Sequence, residues 1–114
     1  MRGLVHQAMG DGALGLVALA RESARCGGIY SVHMRREGDR IEAALQEIID
    51  IAAASGSAAE IYHFRVAGKD NGGKLDRVIA TIEKARAAKV RLSADMYTYT
   101  VGATGLDAAM PLWV

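Results

Sequence analysis

The feature that most limits what this chain can become is an alternation of short apolar strand-like runs with long amphipathic helical runs at a nearly constant period. "GIYSVH" (Gly28 to His33) opens through the polar "MRREG" into "DRIEAALQEIIDIAAASG" (Asp39 to Gly56), where Ile41, Ala44, Leu45, Ile48 and Ala52 fall on one helical face. "AEIYHF" (Ala59 to Phe64) opens through "VAGKDNGG" into "KLDRVIATIEKARAAK" (Lys74 to Lys89), with Leu75, Val78, Ile79, Ile82 and Ala85 on one face. "VRLSADMY" (Val90 to Tyr97) starts a third strand. Asp39 with Glu42 reads as a capping box, and Gly56 stands where a left-handed residue should end the helix. After the second helix that place is held by Lys89, at a cost of about 1 kcal/mol if the backbone is left-handed there.

The phase of the alternation is informative. His33 and His63 are 30 residues apart and Asp95 lies 32 beyond, each at the same point of its βα unit. A (β/α)₈ barrel of roughly 250 residues has a period of about 31. The expected fold is therefore α/β, a partial TIM-barrel segment of three to four parallel strands alternating with helices. A chain of 114 residues is less than half of such a barrel, so residues 1–114 are read as one partial domain. Right-handed crossovers would bury both sheet faces, which nearly continuous apolar strands would fit. Upstream, Leu16, Leu19, Ala20 and Ser23 are at helical spacing, which predicts a helix from Leu16 through Arg25.

His33 and His63 should emerge from the same edge of adjacent strands. Strands about 4.8 Å apart can place two imidazoles on one zinc, with Zn–N of about 2.0 Å. A lone strand-end histidine is ordinarily a hydrogen-bonding residue. Two in register, at the carboxyl edge where parallel sheets bind ligands, form a candidate metal pair. His6 reads as a surface residue, Cys26 as a packing residue, and Trp113 as a capping or interface aromatic.

Lys+Arg 14 against Asp+Glu 13 gives a net charge of +1, well mixed along the chain, so no nucleic-acid partner is expected. The single cysteine excludes an internal disulfide and a cysteine-only zinc site, and it fits a reducing, cytoplasmic setting. The longest apolar runs are interrupted before they could cross a bilayer, and "MRGLVHQAMGDG" lacks the pattern of a secretory signal, so no membrane partner is expected.

The motifs carry a resemblance. "GGIYSVHMRREGDRIEAALQEIIDIA" resembles the Tyr-x-x-His-x-Arg-x-Glu segment of the N-acyl-D-amino-acid deacylases (D-aminoacylases) of the amidohydrolase superfamily. "IYHFRVAGKDNGGKLD" is similar to their Ser-His-x-Lys motif and its glycine-rich loop, and "SADMYTYTVGATGLDAAMPLWV" to the Asp-x-Tyr-Pro-Tyr stretch that follows. "AMGDGALGL" matches the family's Ala-Met-x-Asp-Gly-Ala-x-Gly-Leu turn and strand. The resemblance implies that His33 and His63 are zinc ligands. It places Arg65 where the family has a lysine that holds the substrate carboxylate, Tyr97 and Tyr99 on the motif's tyrosines, and Thr98 on its proline. The implied reaction is zinc-dependent hydrolysis of an N-acyl-D-amino acid to a carboxylate and a D-amino acid.

The resemblance also implies that segments are absent. The family takes further ligands from a His-x-His and a cysteine, and its catalytic aspartate from the eighth strand, all outside this sequence. "ALGLVALARESARCGG" lacks the usual βα connection, which points to an internal deletion near residues 17–20. Two readings follow: a segment of a deacylase barrel that is inactive alone, or a non-catalytic α/β module that self-assembles or binds a small carboxylate. Strands cut from a barrel have open edges and bare apolar faces, so a homodimer or larger oligomer, held by Ile, Leu, Val and Trp113 contacts, is expected in either case.

Overall fold

Strands of three residues and helices of three to four turns alternate along the chain in a computed structural model that describes residues 11–103, 105–106 and 110. In order they are α1 (Asp11–Arg25), β1 (Tyr30–Val32), α2 (Ile41–Ser55), β2 (Ala59–Ile61), a 3₁₀ turn (Lys69–Lys74), α3 (Leu75–Ala87) and β3 (Leu92–Ala94). The strands form one parallel sheet in the order β1-β2-β3, with Tyr30, Ala59 and Leu92 in one row and Val32, Ile61 and Ala94 in another. The expected α/β architecture of parallel strands separated by helices is the one observed, with three strands among the described residues.

Periodicity places α2 well. Ile41, Ala44, Leu45, Ile48 and Ala52 are all buried, and they meet Met34, Ala59, Ile61, Val78 and Leu92 between the helices and the sheet. Beside that face of α2, Ile51 is fully buried against Ala13, Val17 and Ala20 of α1. Burying one such side chain contributes about 2 kcal/mol, which explains why α1 docks there. The helix predicted from Leu16 through Arg25 is present and starts earlier, at Asp11. The strand that the resemblance implied in "GALGL" is therefore absent, because Ala13, Val17 and Ala20 share a helical face.

Each helix ends on a left-handed residue. Gly27 has φ 77° and Gly56 has φ 74°, and the Gly56 N–H donates to the Ala52 carbonyl at 2.9 Å. Lys89, with φ 68°, takes the same conformation. Its N–H donates to the Arg86 carbonyl at 2.9 Å and that of Val90 to the Ala85 carbonyl at 3.1 Å, the two bonds of a Schellman motif.

Four expectations are corrected. The Asp39/Glu42 capping box does not form: Arg40 is the N-cap, without a side-chain bond. The Asp39 carbonyl instead accepts from Lys74 Nζ at 2.7 Å and Glu42 pairs with Arg77 at 2.8 Å, so both positions link α2 to the next unit. Among the described residues only one sheet face is covered, and Ser31, Glu60 and Ser93 form a polar row on the other, where the Ser93 hydroxyl donates to the Glu60 carboxylate. On α3, Val78 and Ala85 are buried, whereas Leu75 and Ile79 remain exposed beside a cleft. Cys26 is exposed rather than packed. His6 and Trp113 lie outside the described residues.

Candidate metal centre

The carboxyl edge of the sheet gathers the titratable residues. His33 follows β1 directly, and the next residue, Met34, is almost wholly buried, which anchors the loop that carries the histidine. His63 comes two residues after β2 in a turn with φ 40°, a left-handed conformation that is strained for a histidine. Asp95, just past β3, holds that turn. Its carboxylate accepts from the His63 N–H at 2.7 Å, its carbonyl from the Phe64 N–H at 2.7 Å, and its own N–H donates to the Ile61 carbonyl at 3.1 Å. The equal phase of His33, His63 and Asp95 thus reflects one shared edge, with the Asp95 side chain committed to the backbone of His63.

The two imidazoles converge. His33 Nδ1 and His63 Nε2 are 2.9 Å apart, and the ring centroids 4.7 Å apart. Glu37, from the loop after β1, brings Oε1 to 3.2 Å from His63 Nδ1 and 3.9 Å from His33 Nδ1. Together His33, Glu37 and His63 form a group of three possible metal donors within 4.8 Å of one another. His63 Nδ1 is buried and has no hydrogen-bond partner, and Glu37 Oε1 lies 3.2 Å from it. Two facing imidazole nitrogens with a carboxylate beside them form a setting that suits zinc.

The second oxygen of Glu37 holds Arg65, with Nε donating at 2.7 Å, and Arg65 Nη1 also donates to the Tyr97 hydroxyl. The Glu37 hydrogen bond is the main reason that the Arg65 guanidinium is held above its ordinary pKa, with Tyr97 adding to it. Arg65 and Tyr97 line a cleft of about 760 Å³ that is otherwise largely apolar, with Phe64, Leu75, Ile79 and Met96 among its walls. The Ala67 N–H donates to the Glu37 carbonyl at 2.7 Å and ties the two loops together. Tyr99 also lines the cleft, with 77% of its surface exposed.

The residues singled out in the sequence therefore meet: His33 with His63, and Arg65 with Tyr97. Glu37 joins the two pairs and was not assigned a role. The Arg-x-Glu end of the first motif contains it, but the partners it touches belong to the following βα unit.

A parallel sheet whose carboxyl edge presents two converging histidines defines an α/β protein of the ligand-at-strand-end type. Comparison with known proteins narrows this. No family model matches the chain. It is 35% identical over 102 residues to an N-acyl-D-glutamate deacylase and 33% identical over 123 residues to a D-aminoacylase, both from Alcaligenes xylosoxydans xylosoxydans. These matches cover 90% and 93% of this chain but 20% and 25% of the relatives, so the chain spans a fifth to a quarter of their length. A crystal structure of D-aminoacylase, described as defining a novel subset of amidohydrolases, aligns with 79% of this chain and 19% of its own at a TM-score of 0.75 and 34% identity. The N-acyl-D-glutamate deacylase of Bordetella bronchiseptica, solved with zinc and a phosphonate inhibitor, aligns with 76% of this chain and 18% of its own at 0.73 and 32%. The chain is homologous to a segment of the N-acyl-D-amino-acid deacylases, metal-dependent enzymes of the amidohydrolase superfamily.

Proposed function

We propose that this chain is the metal-holding and carboxylate-holding portion of a zinc-dependent N-acyl-D-amino-acid deacylase barrel. The observation that carries the reading is the 2.9 Å approach of His33 Nδ1 to His63 Nε2 at the carboxyl edge of a parallel sheet. His33 and His63 would hold the zinc. When bound, zinc supplies Lewis acidity that polarises an amide carbonyl and makes water a better nucleophile at neutral pH. The substrate carboxylate would be met by Arg65 and Tyr97. Since Nε and one N–H of Nη1 of Arg65 are engaged by Glu37 and Tyr97, the donors open toward an anion are those of Nη2 and the second N–H of Nη1. Tyr97 and Glu37 between them keep the guanidinium plane fixed, which spares part of the entropy of ordering an arginine at the moment of binding.

The chain alone is expected to lack turnover, because an open catalytic zinc takes three protein ligands and the reaction needs a base positioned for its proton. An internal deletion near residues 17–20 is also part of this reading: α1 runs unbroken through them, where a strand and its loop would otherwise stand. Self-association is proposed from the bare apolar side chains, among them Leu19, Leu75, Ile79 and Met96, and from the open edges of β1 and β3 among the described residues. Among the described residues no helix is long and apolar enough to cross a membrane, and a cytoplasmic setting is proposed on the single-cysteine argument.

Equilibrium dialysis of the purified chain against zinc tests the reading. One zinc per chain, lost in both His33→Ala and His63→Ala, is expected. Binding that survives either substitution would refute it.

A further inference from the structure

Glu37 is one of three possible donors to the metal, yet its contacts point to another task. Every polar hydrogen of arginine donates and none of its atoms accepts. The 2.7 Å bond from Arg65 Nε to Glu37 Oε2 therefore keeps the carboxylate an acceptor, with Oε1 turned toward His63 Nδ1 at 3.2 Å. Such an oxygen can take only a donor. His63 Nδ1 is buried with no hydrogen-bond partner, and a lone pair there would face those of Oε1 at 3.2 Å, so in the neutral imidazole the proton belongs on Nδ1. That leaves the lone pair on Nε2, the atom 2.9 Å from His33 Nδ1. The two ring nitrogens of an imidazole point in well-separated directions, so an oxygen placed at Nδ1 is not placed to bind a metal at Nε2.

We infer that Glu37 is a positioning residue and not a metal ligand: it sets the tautomer of His63 so that Nε2 is offered to the metal shared with His33. Arg65 holds the far side of the same carboxylate, which links the anion-holding side chain to the metal pair through one residue. The inference rests on the reading of His33 and His63 as the metal pair. Carboxylates that accept from the distal nitrogen of a metal-binding histidine commonly change metal affinity about 10- to 100-fold when removed.

The test uses the whole 114-residue chain, with ¹⁵N NMR of the imidazoles in the metal-free state and cobalt as the optical metal probe. In the parent chain His63 should carry its proton on Nδ1. In Glu37→Ala that preference should fall away and cobalt affinity should drop about 10- to 100-fold, while the spectrum of the saturated complex keeps its band positions, because no ligand has been lost. Glu37→Gln provides a second variant should the first fold poorly. Arg65 selects the amide oxygen and turns the NH₂ toward His63 Nδ1, so the proton should move to Nε2 and cobalt binding should be at least as weak as in the alanine variant. A changed spectrum at saturation in Glu37→Ala, or an Nδ1 proton that persists in both variants, would overturn the inference. If the parent chain binds no cobalt, the metal reading fails by itself, and the NMR comparison still decides whether Glu37 sets the tautomer.

Discussion

Replacing Asp95 by alanine should loosen the histidine pair without disturbing the sheet. The carboxylate makes a 2.7 Å bond to the His63 N–H, while the strand-to-strand bonds at this position use the backbone of Asp95 and survive the substitution. A hydrogen bond to a charged acceptor contributes about 1.5–3 kcal/mol, and the exposure of Asp95 puts this one near the lower end. The turn it holds has φ 40° at His63, a conformation that costs about 1–3 kcal/mol and persists only while its surroundings enforce it. Asp95→Ala should therefore lose about 1–2 kcal/mol of stability in urea, and a similar share of the metal-binding free energy. Since 1.4 kcal/mol is about tenfold in a dissociation constant, cobalt affinity should fall about tenfold. Asp95→Asn keeps the acceptor and should recover roughly half of both losses. Unchanged urea midpoint and unchanged cobalt affinity in Asp95→Ala would refute the argument that this side chain holds the His63 turn.

Two further outcomes follow from local geometry. Lys89→Gly relieves a left-handed C-cap at φ 68° and should stabilise the chain by about 1 kcal/mol, raising Tm by about 4 °C in a thermal scan; no change would mean that the cap is not strained. Burial pushes the Tyr30 phenol above its usual pKa, Glu47 adds to this, and Arg35 partly offsets it. The folded state thus prefers the protonated phenol, so this contribution is complete below about pH 10 and is lost as pH rises through the higher folded value. Urea titrations of Tyr30→Phe should show a shallower alkaline loss of stability than the parent; identical slopes would contradict the assignment.

Much of this was legible in the sequence because it is periodic or local. The face of Ile41, Leu45 and Ile48, the left-handed end at Gly56 and the shared edge of His33 and His63 each follow from spacing within a single element or from the repeat. What escaped was decided between units. Asp39 and Glu42 are spaced as a capping box, but the helix starts one residue later, with Arg40 as N-cap, and Glu42 is taken by Arg77 of the next unit. Glu37 ends the first motif in a polar loop, but its meaning comes from His63 and Arg65, which the fold brings to it. Apolar counting suggested strands buried on both sides, while the alternation in Tyr30-Ser31-Val32 and Ala59-Glu60-Ile61 already marked one polar face.

The central claim is that His33 and His63 hold one metal ion together, through Nδ1 of the first and Nε2 of the second. Zinc-edge X-ray absorption on the zinc-loaded chain reads this directly, since each imidazole gives a distinct outer-shell scattering pattern. The account predicts two imidazoles at about 2.0 Å in the parent chain and loss of the zinc in both His33→Ala and His63→Ala. A zinc shell without imidazole scattering in the parent chain, or zinc that stays bound in either variant, would contradict it.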